Sequence, residues 1–417
     1  MSHSTAVSIV VIAAAAVVAP LLSELLRKWR IPSVLFELAL GIVVGPALLG
    51  WVEVDPFVTG LSQLGLAVLF FLAGYEIDFK TLKGAPLNRG GAGWLISLAL
   101  GLGVGAVLAL EGFVISSLLV GLALTTTAIG TLLPMLRDRG MLETRFGAFL
   151  TAAGAIGEFG PILAVTILLS SSSPGVEALL LVAFALLAVA VAAIASRPQP
   201  PALIEMLQRH LSTSTQLPVR IILLLITLLV MVAAELGLDN LLGAFAAGMI
   251  ARVALSPEQN EALSPKIEAI GFGFLIPVFF IVSGVNFDLD ALLESPSTMA
   301  RVPIFMGLML LVRGLPALLV YRGVLSGRER GALVLLQSTA LPLLVVITEI
   351  GLREHRMTTA NATALVGAGM MSVLLFPLLG FVVLGKGDDG DDAPGPGIAD
   401  DADGPGVADV ADAGDAL

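Results

Sequence analysis

Two ionisable side chains stand in otherwise apolar surroundings. Glu158 sits at the middle of the apolar run 144–170, and Arg313 lies within two residues of the middle of the run bounded by Arg301 and Arg322. Hydroxyl clusters occupy the middles of two further runs. Thr125, Thr126 and Thr127 are followed by Gly130 and Pro134, and Gln337, Ser338 and Thr339 are followed by Pro342. A charge at the centre of a membrane helix costs about 2.5–3.5 kcal/mol on insertion scales, so two at one depth need a reason. A carboxylate that alternately holds a proton and a cation would supply one. Burial and a nearby guanidinium act in opposite directions on its proton affinity, and hydroxyl and carbonyl oxygens suit an alkali cation. The competing reading is a buried ion pair, Glu158 with Arg313, that only fixes packing.

Consecutive polar, β-branched residues beside Gly and Pro weaken a helix. Here the weakness recurs at 125–127 and 337–339, which points to two helices broken at mid-depth, with Thr126, Thr127, Ser338 and Thr339 as candidate ligands. The bland alternative is hydroxyls bonding back to the preceding turn. Gly154, Gly157 and Gly160 recur every three residues beside Glu158 and give a small face that admits another backbone. Gly41/Gly45 and Gly101/Gly105 read as packing pairs, and GLGVG at 101–105 lies inside an apolar run, not after a strand as a dinucleotide loop would. Other acids rank lower. Glu24, Glu76, Asp78, Glu235 and Glu349 fall near run ends, Asp288 and Asp290 in a loop, and Glu37 a few residues into its run, where it would line an access path.

The elements that must position these residues follow from composition. Of 417 residues, 57% are hydrophobic and 13% charged, and mean hydropathy is +0.98. Soluble domains carry about 25% charged residues, so a water-soluble enzyme, a disordered chain and a nucleic-acid-binding domain are excluded. The apolar runs are 6–26, 32–51, 58–79, 92–110, 113–136, 144–170, 175–196, 217–237, 240–255, 266–285, 300–321, 327–350 and 359–385. They predict an all-α polytopic membrane protein of about thirteen spans. The first run has no Lys or Arg before it and Arg27, Lys28 and Arg30 after it, so it reads as an anchor and not as a cleaved signal peptide. Residues 386–417 carry ten Asp and one Lys, a net of −9 out of the chain's −11, and read as a disordered acidic tail. There is no Cys, and His3, His210 and His355 form no ligand spacing, so no metal site or cofactor is expected. No nucleophile and base are set together as an enzyme would need.

Internal similarity refines the count. FFLAGYEIDF at 70–79 resembles FFIVSGVNFDL at 279–289, LALGI at 38–42 resembles FAAGM at 245–249, and TTA at 126–128 resembles STA at 338–340. Each match pairs runs seven apart, and an odd shift reverses orientation. The chain therefore divides into two inverted six-helix repeats, 6–170 and 217–385, joined by a linker helix at 175–196. Inverted repeats with a mid-depth site are the architecture of secondary transporters.

IPSVLFELALGIVVGPALLG, LFFLAGYEIDF, LGAFAAGMIAR and PVFFIVSGVNFDL resemble segments of the monovalent cation:proton antiporter family, which shares the sodium/hydrogen-exchanger transmembrane domain and includes bacterial potassium-efflux and sodium/proton antiporters. The resemblance spans about residues 6–385. It implies a homodimer with a panel domain and a mobile core whose two broken helices, 113–136 and 327–350, cross. It puts the family's ion-binding acid on Glu158 and its basic core residue on Arg313, where many relatives have Lys. Relatives typically carry Asp preceded by Asp, Asn or Gln, whereas this chain has Gly157–Glu158. The expected substrates are a proton and Na+ or K+, exchanged one for one without net charge movement; the alternative is a non-transporting sensor or regulatory subunit that keeps the fold.

With the N-terminus outside, the expected cytoplasmic connections hold 18 of the 22 basic residues and the outer ones hold Arg301, Arg353 and Arg356. The positive-inside rule then puts the acidic tail in the cytoplasm. A reporter fused after Leu417 is expected to be active only if it works in the cytoplasm; activity of a periplasm-specific reporter there would overturn the thirteen-span count.

Overall fold

In a computed structural model the described residues are 3–26, 31–76, 84–168, 174–195 and 215–385. The acidic tail, His210, Asp78 and the loop cations Arg27, Lys28, Arg30, Lys80, Lys83, Arg197, Arg209 and Lys386 lie outside them. The described residues are helical and contain no strand. In chain order the helices are α1 (His3–Leu25), α2 (Ser33–Val44), α3 (Pro56–Glu76), α4 (Ala85–Leu110), α5 (Ser117–Ala123), α6 (Ile129–Asp138), α7 (Arg145–Leu168), α8 (Pro174–Ala195), α9 (Leu217–Glu235) and α10 (Asn240–Ala254). Then come α11 (Pro257–Ile270), which continues through a π turn at Gly271–Leu275 into α12 (Ile276–Val285), and the short α13 (Leu289–Leu293). A second π turn, Leu310–Gly314, joins α14 (Pro296–Met309) to α15 (Leu315–Val320), followed by α16 (Gly327–Gln337), α17 (Pro342–Arg353) and α18 (Thr359–Leu384).

Local chemistry sets these limits. Ser116, Ser256, Ser295, Ser326 and Thr358 each cap a helix by accepting a backbone N–H, and Ser256 and Ser326 complete capping boxes with Gln259 and Glu329. Gly112 and Gly237 take positive φ just past α4 and α9, where a left-handed residue closes the last turn. Among the described residues nine helical stretches are long and apolar enough to cross a bilayer, and Ser33–Val44, Leu179–Ala195 and Asn240–Ala254 are shorter apolar helices. Each of the thirteen expected runs falls on one of these or on the interrupted pair α5 and α6. Hydropathy alone starts two of them late. The helix at 92–110 begins at Ala85 and that at 266–285 begins at Pro257, because Pro in the first turn of each, and the Ser256 capping box in the second, extend them into polar sequence.

The repeat is written into the packing. α2 lies on α12, and α3 lies on α10. A Cβ at Gly41 would stand 2.2 Å from the carbonyl O of Ile281, and one at Gly284 would stand 2.2 Å from that of Leu38. At the second crossing a Cβ at Gly248 would stand 2.0 Å from the Phe71 carbonyl, and one at Gly74 would stand 2.2 Å from that of Phe245. In all four cases the touched carbonyl lies three residues before the partner glycine. Gly41 corresponds to Gly248, and Gly74 to Gly284, in the sequence repeats. The two crossings are thus the same contact made twice, as small-residue faces permit.

Gly41→Ala or Gly248→Ala is expected to lower the thermal unfolding midpoint of the detergent-purified protein, at a cost of about 1–3 kcal/mol for overpacking. Gly103→Ala, with open space around its Cβ position, is the control. Equal tolerance of all three would show that backbone contact does not hold these crossings.

Candidate functional site

α5 ends at Ala123 and α6 begins at Ile129, while α16 ends at Gln337 and α17 begins at Pro342. The two breaks meet. Ala128 N–H donates to the Thr339 carbonyl at 2.7 Å, and the Thr127 hydroxyl donates to the Gln337 carbonyl. Flanking helices supply the remaining partners. The Gly157 carbonyl of α7 accepts from Thr127 N–H at 3.0 Å, and Ser372 Oγ of α18 accepts from Ala340 N–H at 3.1 Å. α7 and α18 stand in corresponding places in the two repeats, so each break leans on the last helix of its own half.

The hydroxyl clusters divide. Thr125 and Thr126 donate to Leu122 and Ala123 carbonyls at 2.8 Å, Ser338 donates to Val334 at 2.6 Å, and Thr339 contacts the Leu335 carbonyl at 3.5 Å. These four bond back to the preceding turn. Thr127 alone among the candidate hydroxyls reaches across the crossing. Ser97 and Ser372, both wholly buried and both at the crossing, escape a sequence reading because single serines in apolar runs are common.

Glu158 and Arg313 are both buried, at 3% and 2% exposure, yet no ion pair joins them. The competing reading of a direct ion pair thus has no contact behind it. The Arg313 guanidinium is already engaged: Nη2 and Nε donate to Thr127 Oγ1 at 2.8 and 3.0 Å, Nη2 also to the Ala153 carbonyl at 3.1 Å, and Nε to the Gln337 carbonyl at 3.4 Å. Nη1 lies 3.5 Å from Ser97 Oγ. Gln337 Nε2 in turn donates to the Arg313 carbonyl, within the π turn. The face of α7 turned to Arg313 is Gly157, where a Cβ would lie 2.4 Å from Nη2 and 2.6 Å from Thr127 Oγ1. Glu158, one residue on and therefore about 100° around the helix, points elsewhere. Its Oε2 accepts the backbone N–H of Ile129, the first residue of α6, at 3.3 Å. The cation thus sits against the C-terminal carbonyl of one half-helix and the carboxylate at the N-terminus of another, the polarity helix dipoles favour. Gly154 and Gly160 serve different neighbours: added Cβ atoms would stand 2.5 Å from Ile129 Cδ1 and from the Trp94 ring.

Glu158 opens into a cavity of about 1210 Å³. Glu37 and Glu76 line it too, with Gly130 and Thr131 of α6, Arg139, and an apolar wall that includes Phe280 and Phe381. Glu76, placed near a run end by hydropathy, is half-buried there with its Oε2 sealed from solvent. The repeat could have flagged it: Glu76 occupies the place of Asn286 in the matching segment, a polar residue in both halves.

Crossed helix breaks with opposed helix ends beside a buried carboxylate are features that secondary transporters share. Residues 12–384 match the family described as sodium/hydrogen exchanger, transmembrane, and the chain belongs to that family. It is 30% identical over 276 residues to the Na+/H+–K+ antiporter GerN of Bacillus cereus, covering 63% of this chain and 67% of that one. It is 25% identical to an Na+/H+ antiporter of Enterococcus hirae, over 86% of this chain and 93% of that one. The match to YjbQ of Bacillus subtilis, 28% identical, takes in 91% of this chain but 63% of that longer protein. In fold it resembles the sodium proton antiporter MjNhaP1 of Methanocaldococcus jannaschii, with a TM-score of 0.61 at 16% identity over 92% of this chain and all of that one.

Gly157→Ala is expected to destabilise the protein by about 1–3 kcal/mol, seen as a lower unfolding midpoint. Adding Arg313→Lys, which withdraws the planar fork, is expected to recover part of that loss. Strictly additive losses would show that the guanidinium does not fix residue 157.

Proposed function

We propose that this protein is a secondary antiporter that exchanges a monovalent cation, Na+ or K+, for a proton by alternating access, with Glu158 as the shared site. One observation carries this reading. Glu158 is held by backbone N–H groups at the tip of a broken helix, those of Ile129 and Gly130, faces a large cavity, and among the described residues has no basic side chain bound to it. A carboxylate bound to arginine would be committed to its charged form; one held by a helix end is free to trade a proton for a cation. Family membership and relatives described as Na+/H+ antiporters support the same activity.

One carboxylate accepts one proton or helps hold one cation, so the cycle is electroneutral and Arg313 stays charged throughout. Arg313 and Gln337 occupy the Thr127 hydroxyl, so Thr126, Ser338, Thr339 and the carbonyls of the breaks are the oxygens left to assist Glu158 in holding a partly dehydrated ion. The non-transporting alternative drew on the unusual Gly157, and the Arg313 fork beside that glycine supplies a packing reason for it. The protein would work as a homodimer in the cell membrane, with its tail in the cytoplasm.

Glu158→Gln, reconstituted in liposomes with a pH dye, is expected to insert and fold but to lose cation-dependent proton movement. Exchange that survives would remove the site. In wild-type vesicles, clamping the membrane potential at different values is expected to leave the rate nearly unchanged, and steep voltage dependence would defeat the one-for-one cycle.

A further inference from the structure

Gln337 is the last residue of α16, and its buried amide is left without a role by the exchange cycle. Its Nε2 donates to the Arg313 carbonyl, and its own carbonyl accepts from Arg313 Nε at 3.4 Å and from the Thr127 hydroxyl. Gln337 and Arg313 are thus bonded twice, side chain to main chain in each direction. The carbonyl that receives the amide lies in a loosened stretch of helix. Pro316 has no N–H, so the Val312 carbonyl four residues earlier lacks its usual helical donor. The π turn Leu310–Gly314 ends two residues before that proline, just as the turn Gly271–Leu275 ends two residues before Pro277. The loosened turn is pressed against α16: a Cβ at Gly314 would stand 2.6 Å from Val334 Cγ1.

We propose that Gln337 is a positioning residue that anchors Arg313 at the crossing and keeps its guanidinium off Glu158. The inference rests on the reading above that Glu158 holds the cation. A buried guanidinium bonds more strongly to a carboxylate than to neutral oxygens, and one carboxylate is close. Arg313 Nη2 lies against Gly157, where a Cβ would stand 2.4 Å from it, and the Cα of Glu158 is about 3.8 Å from that of Gly157. The fork nevertheless bonds to neutral oxygens, Thr127 Oγ1 and the carbonyls of Ala153 and Gln337. An anchor at both ends of the arginine accounts for that choice. The Gln337 amide holds the main chain from which the side chain starts, and the Gln337 carbonyl receives Nε near its far end. Without the amide the π turn loses its outside support and can rewind, and a shift of one residue in register turns residue 313 by about 100°. A guanidinium released in this way pairs with Glu158 and competes with the cation for it.

The test reads cation binding directly, as the Na+ or K+ concentration that gives half-maximal thermal stabilisation of the detergent-purified protein. Gln337→Met, close in size but without a donor, is expected to raise that concentration about tenfold, which corresponds to about 1.4 kcal/mol. Gln337→Asn keeps the amide but falls one methylene short of the carbonyl, and serves in its place where the methionine variant does not fold. Gln337→His, which keeps an N–H at a similar reach, is expected to stay within about twofold of wild type. The deciding comparison removes the guanidinium. Gln337→Met combined with Arg313→Met is expected to bind the cation as Arg313→Met alone does, because no competitor remains, whereas a packing defect at 337 would persist in the combination. An unmoved concentration in Gln337→Met, or a tenfold loss that persists without the guanidinium, overturns the proposal. Glu158→Gln separates it from the antiport reading. If Na+ and K+ stabilise Glu158→Gln as they do wild type, Glu158 is not the cation site and both fall. If stabilisation requires Glu158 and Gln337→Met leaves the concentration unmoved, the role of Gln337 falls alone.

Discussion

The structure depends on satisfying backbone at a place where water is scarce. Two helices stop in mid-bundle, and each stop leaves N–H and C=O groups that must find partners within the protein. The partners come from other helices. Ala128 bonds to Thr339 across the crossing, Thr127 to Gly157, and Ala340 to Ser372. Arg313 then ties Thr127, Ala153 and Gln337 into one knot. A cation held against carbonyl oxygens is what the negative ends of broken helices call for, and the same arrangement leaves the positive end of α6 free to receive an anion. The Glu158 carboxyl lies at that end. The charge pair at mid-depth is thus mediated by backbone and not made by side chains touching.

Much of this was legible in the sequence because the background is so apolar. A lone Glu158, a lone Arg313 and two hydroxyl clusters beside Gly and Pro stand out from Leu, Ala and Val without geometric information. The inverted repeat was legible for a similar reason, since a contact made twice must be encoded twice. What escaped was phase. Residues 157 and 158 differ by one position in sequence, yet one meets the guanidinium and the other the cavity. Hydropathy gives depth and says nothing of azimuth, so the sequence could not say which residue of α7 meets Arg313. The hydroxyls escaped likewise: whether Thr126 or Thr127 turns back on its own helix depends on where the last helical turn closes. Glu76 was discounted because a run end reads as solvated, and only the structure shows its Oε2 sealed from solvent.

Gly157 and Arg313 show how a rule can be broken in two places at once. The space beside α7 that a side chain at 157 would fill is taken by the fork of Arg313. A large planar cation and the loss of a side chain are one structural choice, and neither makes sense in isolation.

The paired glycine crossings also limit the ways in which the molecule can change shape. Between α2 and α12, and between α3 and α10, main chain lies against main chain. Such a clasp has one register, because the next residue along carries a Cβ that would collide. The contact of α7 with α10 is of another kind: Phe159 lies face to face on Phe245, with ring centroids 4.4 Å apart. Flat faces can slip over one another and remain in contact, as the teeth of a gear cannot. The register of the four clasped helices is therefore fixed by main chain, whereas the ring stack beside Glu158 holds its two helices together without fixing theirs.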